Sequence, residues 1–174
     1  ADSMWRSQEL RPERVSLRKM LVENSVTGCT AMINRPLLTL VGTIPDRAIM
    51  HDWWIALAAA CFGMVVPLDE RTILYRQHGG NSIGAKRWSL GAIYAQFVDV
   101  LAGEAAVRSV QKTIDQAAAF HALYGDRMRP EQRRLVKAYS EIKAMPSLSR
   151  KAFLIRSGLI KSKWQKSLGQ ILVT

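Results

Sequence analysis

The hydrophobic pattern is densest from Trp53 to Phe62, a run apolar on almost its whole circumference and opened by the polar pair His51-Asp52. A surface helix keeps one polar face, so this spacing predicts a helix buried on most sides, ended by Gly63. Upstream, Ala1 to Arg14 is polar and reads as a connecting segment, and Val15 to Glu23 carries a loose helical pattern. Gly28 to Asn34 reads as a short buried strand with a glycine at its entry. Arg35-Pro36 starts a helix over Leu37 to Val41, with proline at the first position, and Gly42 to Arg47 loops around Pro45. After Gly63, Met64 to Leu68 and Thr72 to Arg76 are two short β-rich runs separated by Asp69-Glu70-Arg71. They are expected to pair as a hairpin or to lie as neighbouring strands.

The second half reads as helical. Leu90 to Leu101 and Ala105 to Leu123 contain few breakers, and Gly103 and Gly125 fall where helices would stop. Arg129-Pro130 starts a helix over Glu131 to Met145, closed by Pro146. His121 has no companion ligand pattern and reads as a structural histidine. Leu148 to Val173 projects as one amphipathic helix, with Phe153, Ile160, Trp164, Leu168 and Ile171 on one stripe. Lys151 and Lys166 fall opposite that stripe, and Arg156 and Lys163 flank it. Ile155 and Leu159 fall among the charges, and Gly158 interrupts the pattern.

Composition narrows the class. With 174 residues and 48% hydrophobic content the chain can bury one substantial core. Cys29 and Cys61 lie in apolar runs, outside any CxxC or Cys/His cluster, and read as reduced core residues of a cytoplasmic protein. The longest uncharged run, Trp53 to Leu68, is 16 residues long and broken by Gly63 and Pro67. A membrane span needs about 20. The chain begins at Ala1, which suggests a processed chain or a piece of something longer.

Charge changes the picture more. The formal net charge is +11, and it is uneven: residues 1–86 carry ten Lys/Arg against eight Asp/Glu, whereas residues 87–174 carry fifteen against six. Residues 142–174 hold seven basic residues and no acidic one, an asymmetry that points to an anionic partner. Two readings of the last segment stand: a basic amphipathic helix on an anionic bilayer, with Lys151, Arg156, Lys163, Trp164 and Lys166 at the surface, or a basic helix docked on its own protein. Nucleic acid is not expected, since no zinc, RNP-like or helix-turn-helix signature accompanies the charge.

Candidate chemistry sits at His51-Asp52. An aspartate at a helix start accepts bonds from first-turn N–H groups at the positive end of the dipole. Asp52 is therefore either an ordinary N-cap or a carboxylate poised as a base. Arg76-Gln77-His78-Gly79-Gly80-Asn81 is either a plain turn or a loop of donors for an anion.

Taken in order, Asn24-Ser25-Val26-Thr27-Gly28-Cys29, His51-Asp52-Trp53-Trp54, the alanine-rich helix ending at Gly63, and Tyr75-Arg76-Gln77-His78-Gly79-Gly80-Asn81 resemble the C-terminal half of a bacterial family 2 glycosyltransferase. The likeness is to the inverting, GT-A type, rhamnosyltransferase-like enzymes that build surface polysaccharides, and it runs from about Asp2 to Gly84. It implies that Asp52 is the general base for the acceptor hydroxyl, with His51 where the family has Glu. It places Trp53 and Trp54 where either can stack on a sugar face, although at least one of them is expected to point into the core. Arg76 and His78 would then serve the diphosphate or a divalent metal, Mg or Mn, in the parent enzyme. An upstream donor half with an Asp-x-Asp motif is missing from this sequence. The resemblance therefore implies a fragment with no metal expected on it alone, and with nucleotide sugar and glycan acceptor as the parent's partners.

The resulting expectation is an α+β chain: residues 1–86 as the acceptor-side half of a GT-A fold with a few short strands, and residues 87–174 as a basic helical tail. The place expected for it is the cytoplasm, peripheral on the inner face of the plasma membrane. The rival expectation is a non-catalytic helical module for membrane docking or partner binding.

Overall fold

The structure, a computed structural model, describes residues 15–70, 73, 104–162 and 164–174. Among them it is helical: helix accounts for 67% and strand for none, so the α+β expectation is wrong. Seven α-helices occur among the described residues: α1 Leu17–Val22, α2 Arg35–Val41, α3 His51–Phe62, α4 Glu104–Tyr124, α5 Pro130–Ser140, α6 Ser147–Arg156 and α7 Trp164–Val173. Short 3₁₀ turns stand at Gly28–Thr30, Gly125–Arg127 and Ile142–Ala144.

Local chemistry sets most of these boundaries. The Asn34 side chain accepts the Leu37 N–H at 3.0 Å and Pro36 lies in the first turn, so α2 starts where its orphan donors find a cap. α1 turns Leu17, Met20, Leu21 and Val22 inward. α4 repeats Val110, Thr113, Ile114, Ala117, Phe120 and Tyr124 at helical spacing, and all of them are buried.

The core is built around α3. Trp54, Leu57 and Ala58 have no exposed surface, and Ala56, Ala59 and Cys61 are buried with them. α1, α2 and the 3₁₀ turn at Gly28–Thr30 pack on α3, while α4 packs on α1, α5 and α7. α3 and α4 meet through rings: Trp54 stands edge-on to Phe120 with centroids 5.3 Å apart, and Phe62 meets Tyr124 at 5.7 Å. Such edge-to-face pairs add about 0.5–1.5 kcal/mol each beyond the area they bury.

The tail is two helices. Gly158 takes φ +65°, a left-handed conformation that costs glycine no Cβ clash. The Leu159 N–H then reaches the Leu154 carbonyl at 3.0 Å and the Gly158 N–H the Ile155 carbonyl at 3.1 Å, the double bond of a Schellman stop. Leu154 and Leu159, the pair that such a stop brings together, are both fully buried. The single stripe projected from Phe153 to Ile171 is thereby broken: Phe153 packs against the core, and Ile160 lies in the connection between α6 and α7. That connection is fastened to the body, with Lys19 Nζ donating to the Ile160 carbonyl at 2.9 Å and Glu23 accepting the Ser162 N–H at 2.8 Å.

Four further expectations are corrected. Gly28 to Asn34 is not a buried strand: it is a 3₁₀ turn followed by extended chain, every residue from Cys29 to Asn34 is exposed, and Met32 is 97% exposed. Met64 to Leu68 forms no regular element, and no backbone group from 64 to 70 bonds to another described residue's backbone. A strand exists only with a neighbour to take its N–H and C=O groups, which an apolar, β-branched run cannot provide by itself. Most of Thr72 to Arg76, together with Leu90 to Leu101, lies outside the described residues. Finally, the helix expected over Glu131 to Met145 stops at Ser140, and Cys29 is exposed and not a core residue.

The buried indole of Trp54 carries an N–H with no hydrogen-bond partner. Trp54→Ala should therefore destabilise the fold by about 3–5 kcal/mol through lost burial and the cavity left behind. Trp54→Phe should cost well under that, because it also removes the unpaired donor. Urea denaturation compares the two, and equal losses would contradict this account.

Two buried acids make stability fall at alkaline pH. Burial pushes the Cys61 thiol from 9.0 up to about 11, against the opposing charge of Arg129. Burial likewise pushes the Tyr139 hydroxyl from 10.0 up to about 12, against its hydrogen bond with Thr113. Both pKa values are raised by folding, so their contribution is complete below the unfolded values and is lost as pH rises, from about 9 for Cys61 and about 10 for Tyr139. Tyr139→Phe should flatten the upper part of that loss in denaturation midpoints measured from neutral pH upward.

Candidate functional site

Asp52 is the second residue of α3, and the N-cap is Met50, which makes no side-chain cap bond. The carboxylate does not bond its own helix. It reaches outward to the segment after α1, where Oδ1 accepts the Asn24 Nδ2–H at 3.2 Å and Oδ2 accepts the Gly28 N–H at 2.9 Å. The expected capping role is thus replaced by a tie from α3 to two residues of that segment, 28 and 24 positions away along the chain. Only 7% of Asp52 is exposed, so these bonds also satisfy a nearly buried charged side chain. The position still lies in the first turn, where the helix dipole favours a negative group.

Each partner is held in its turn. Asn24 Oδ1 accepts the Val26 N–H at 2.9 Å, an Asx-type turn that fixes the amide so that its Nδ2 faces Asp52. Gly28 is required for closeness: a Cβ built there would stand 2.8 Å from His51 Nε2, 3.2 Å from Asp52 Cβ and 3.4 Å from Asp52 Oδ2. His51 thus lies against the backbone that also bonds Asp52, with its side chain exposed.

The two tryptophans separate. Trp54 is fully buried in the aromatic core, so no face of its ring is offered to a ligand. Trp53 is half-buried and its Nε1–H donates to the Met20 carbonyl at 2.6 Å, clamping α3 to α1. Arg76 and His78 lie outside the described residues, as does Lys163, and α7 begins at Trp164. Lys151 is half-buried and Arg156 exposed on α6, remote in sequence from the Asp52 cluster.

Structure therefore brings together Asn24, Gly28, His51 and Asp52. Sequence reading singled out the last two. Asn24 entered as part of the run that carries the family resemblance and Gly28 as a strand entry; nothing local to either says that a carboxylate 24 residues beyond Gly28 will accept from both.

Among the described residues no group of three or more His, Cys, Asp or Glu side chains is arranged to hold a metal ion. His51 and Asp52 supply two such groups, and both Asp52 oxygens already accept hydrogen bonds. Two surface depressions lie elsewhere, one lined by Asp46, Arg47, Lys112 and Asp115, the other by Cys61, Gly63, Arg127 and Arg129. No helix among the described residues is long and apolar enough to cross a membrane. No protein-family model matches the chain, and neither a curated protein nor a solved structure matches it.

Gly28→Ala tests the cluster's geometry. The new methyl meets the His51 ring, which can swing into solvent, and Asp52 Cβ, which is fixed to α3. Overpacking of this kind should destabilise by about 1–3 kcal/mol. His51→Ala in the same background should recover part of it, and a double variant no more stable than Gly28→Ala alone would show that His51 is not the obstruction.

Proposed function

We propose that this chain is the acceptor-side part of a bacterial family 2 glycosyltransferase, with Asp52 as the base that takes the proton of the acceptor hydroxyl. The observation that carries the reading is the carboxylate held from two sides by Asn24 and Gly28 beside an exposed His51. A general base needs a fixed position within hydrogen-bond reach of the proton it removes. One donor on each oxygen leaves each with a further lone pair, so the clasp orients the carboxylate without exhausting it. His51 flanks it as a contact for the incoming sugar.

In the reaction so proposed, the acceptor oxygen bonds to the anomeric carbon of a nucleotide diphosphate sugar as the bond to the diphosphate oxygen breaks. The proton goes to Asp52 and the electron pair leaves with the diphosphate. Rhamnose is the donor sugar to which the resemblance points. Arg76 and His78 are assigned to the diphosphate side by that resemblance alone, where they would help to hold a divalent ion in the complete enzyme.

The same bonds favour a second reading, in which Asp52 is only a clip for residues 24–28 in a non-catalytic helical module. An exchange of partners separates the two. Asp52→Asn alone places an amide against the Asn24 amide and forfeits one of the two bonds, so it should destabilise by about 1 kcal/mol or more. Asn24→Asp/Asp52→Asn restores a donor–acceptor pair but moves the carboxylate. Both should be made in the enzyme that carries this chain with its donor-binding half. If Asp52 is the base, sugar transfer falls at least about 100-fold in both variants, while stability returns only in the double one. Recovery of transfer together with stability would reduce Asp52 to a clip.

A further inference from the structure

The outward face of α6 is an apolar ridge between two cations. Leu148 is 84% exposed and Ile155 60% exposed, with exposed Ala152 between them. At 100° per residue Ile155, Leu148 and Ala152 fall side by side, Lys151 borders them on one flank and Arg156 on the other. The opposite side of the same helix holds the buried Leu154 and the core-packed Phe153, so the ridge is turned away from the protein. This is not the stripe projected from the sequence, of which Phe153 faces inward.

Neither flanking cation has an ion pair or a side-chain hydrogen bond to another described residue. No acidic residue occurs anywhere from 142 to 174. α7 adds two more outward leucines, Leu168 at 49% and Leu172 at 72% exposure. A solvated helix face would be polar, and a face for an ordinary apolar protein surface would not need unpaired cations along both borders.

We propose that the outward face of α6 docks on an anionic lipid surface, with Leu148, Ala152 and Ile155 entering the headgroup layer and Lys151 and Arg156 meeting lipid phosphates. Charge complementarity selects this occupant: the apolar ridge matches the acyl boundary, and the flanking cations match the anionic headgroups. Binding is reversible and salt-sensitive, because one short ridge and two cations anchor weakly and exposed charges are screened. The inference stands whether or not the chain belongs to a sugar-transferring enzyme.

The 174-residue chain can be sedimented with vesicles of phosphatidylcholine alone and of phosphatidylcholine mixed with phosphatidylglycerol, at low and high salt. It should partition onto the anionic vesicles at low salt and come off at high salt. Leu148→Ser/Ile155→Ser should weaken partitioning by at least about tenfold, and Lys151→Gln/Arg156→Gln by about 25-fold, roughly fivefold for each cation. Leu38→Ser, which removes an exposed leucine from α2, should bind as the parent does. All four positions on α6 are at or near the surface, and unchanged helical circular dichroism checks that the fold survives. Equal partitioning of the parent and Leu148→Ser/Ile155→Ser, or no preference for phosphatidylglycerol, would overturn the proposal. So would retention on duplex DNA that the cation pair abolishes and the apolar pair leaves intact, which would make the face a polyanion surface.

Discussion

Everything in this fold depends on hiding α3. A twelve-residue helix with Trp54, Leu57 and Ala58 wholly out of solvent has, beyond His51 at its start, no polar face to give to water. It is stable only if neighbours cover its sides, which α1 and α2 do by packing and α4 does through its rings. The small residues Ala56, Ala58 and Ala59 let those neighbours come close, and the rings of Trp54 and Phe62 fill what remains against Phe120 and Tyr124. Polar groups are thereby driven to the helix ends, where both are stitched to other segments. Asp52 at the first turn binds residues 24 and 28, and the Cys61 carbonyl at the last turn accepts the Gln132 amide at 2.7 Å. Buried backbone and carboxylate groups need partners, and at each end a distant segment supplies one.

That arrangement explains what was legible in the sequence. Elements with local punctuation were readable: Arg35-Pro36 for the start of α2, though not its Asn34 cap, Gly63 for the end of α3, Gly125 for the end of α4 and Pro130 for the start of α5. The burial of α3 was readable too, because an apolar run with no polar face admits one interpretation. Strands were not readable in the same way. Met64-Val65-Val66 and Gly28 to Asn34 have strand composition, yet composition describes one side of a ladder, and the structure puts no partner among the described residues. Composition alone therefore overstated the β content.

The site was half legible for a related reason. Residue type and position marked Asp52 as a poised carboxylate, but the obvious partners, the N–H groups of its own first turn, were the wrong ones. A side chain at the second helical position can turn away from the helix when something better placed awaits it, and here Asn24 and Gly28 do. That depends on the Asx turn at Asn24 and on the missing Cβ at Gly28, two features that gain meaning only when α1 and α3 are packed together. Trp53 shows the same logic. Its ring nitrogen is committed to the Met20 carbonyl, so the α1–α3 contact that creates the Asp52 cluster also fixes the indole beside it.

The tail shows how a single backbone conformation redirects a whole surface. A helical projection carried through Gly158 keeps one phase from Leu148 to Val173, and in that phase Phe153 and Leu168 share a stripe. The left-handed glycine ends α6 and resets the phase, and the stop succeeds because Leu154 and Leu159 then meet in the core. Once that buried pair decides which side of α6 faces inward, Phe153 must follow it, and Leu148, Ala152 and Ile155 are left outside. Any use of the charge on α6 therefore has to start from the face that the glycine stop exposes, where an apolar ridge lies between two cations that have no ion pair among the described residues. The apolar stripe of an uninterrupted helix does not exist in this fold.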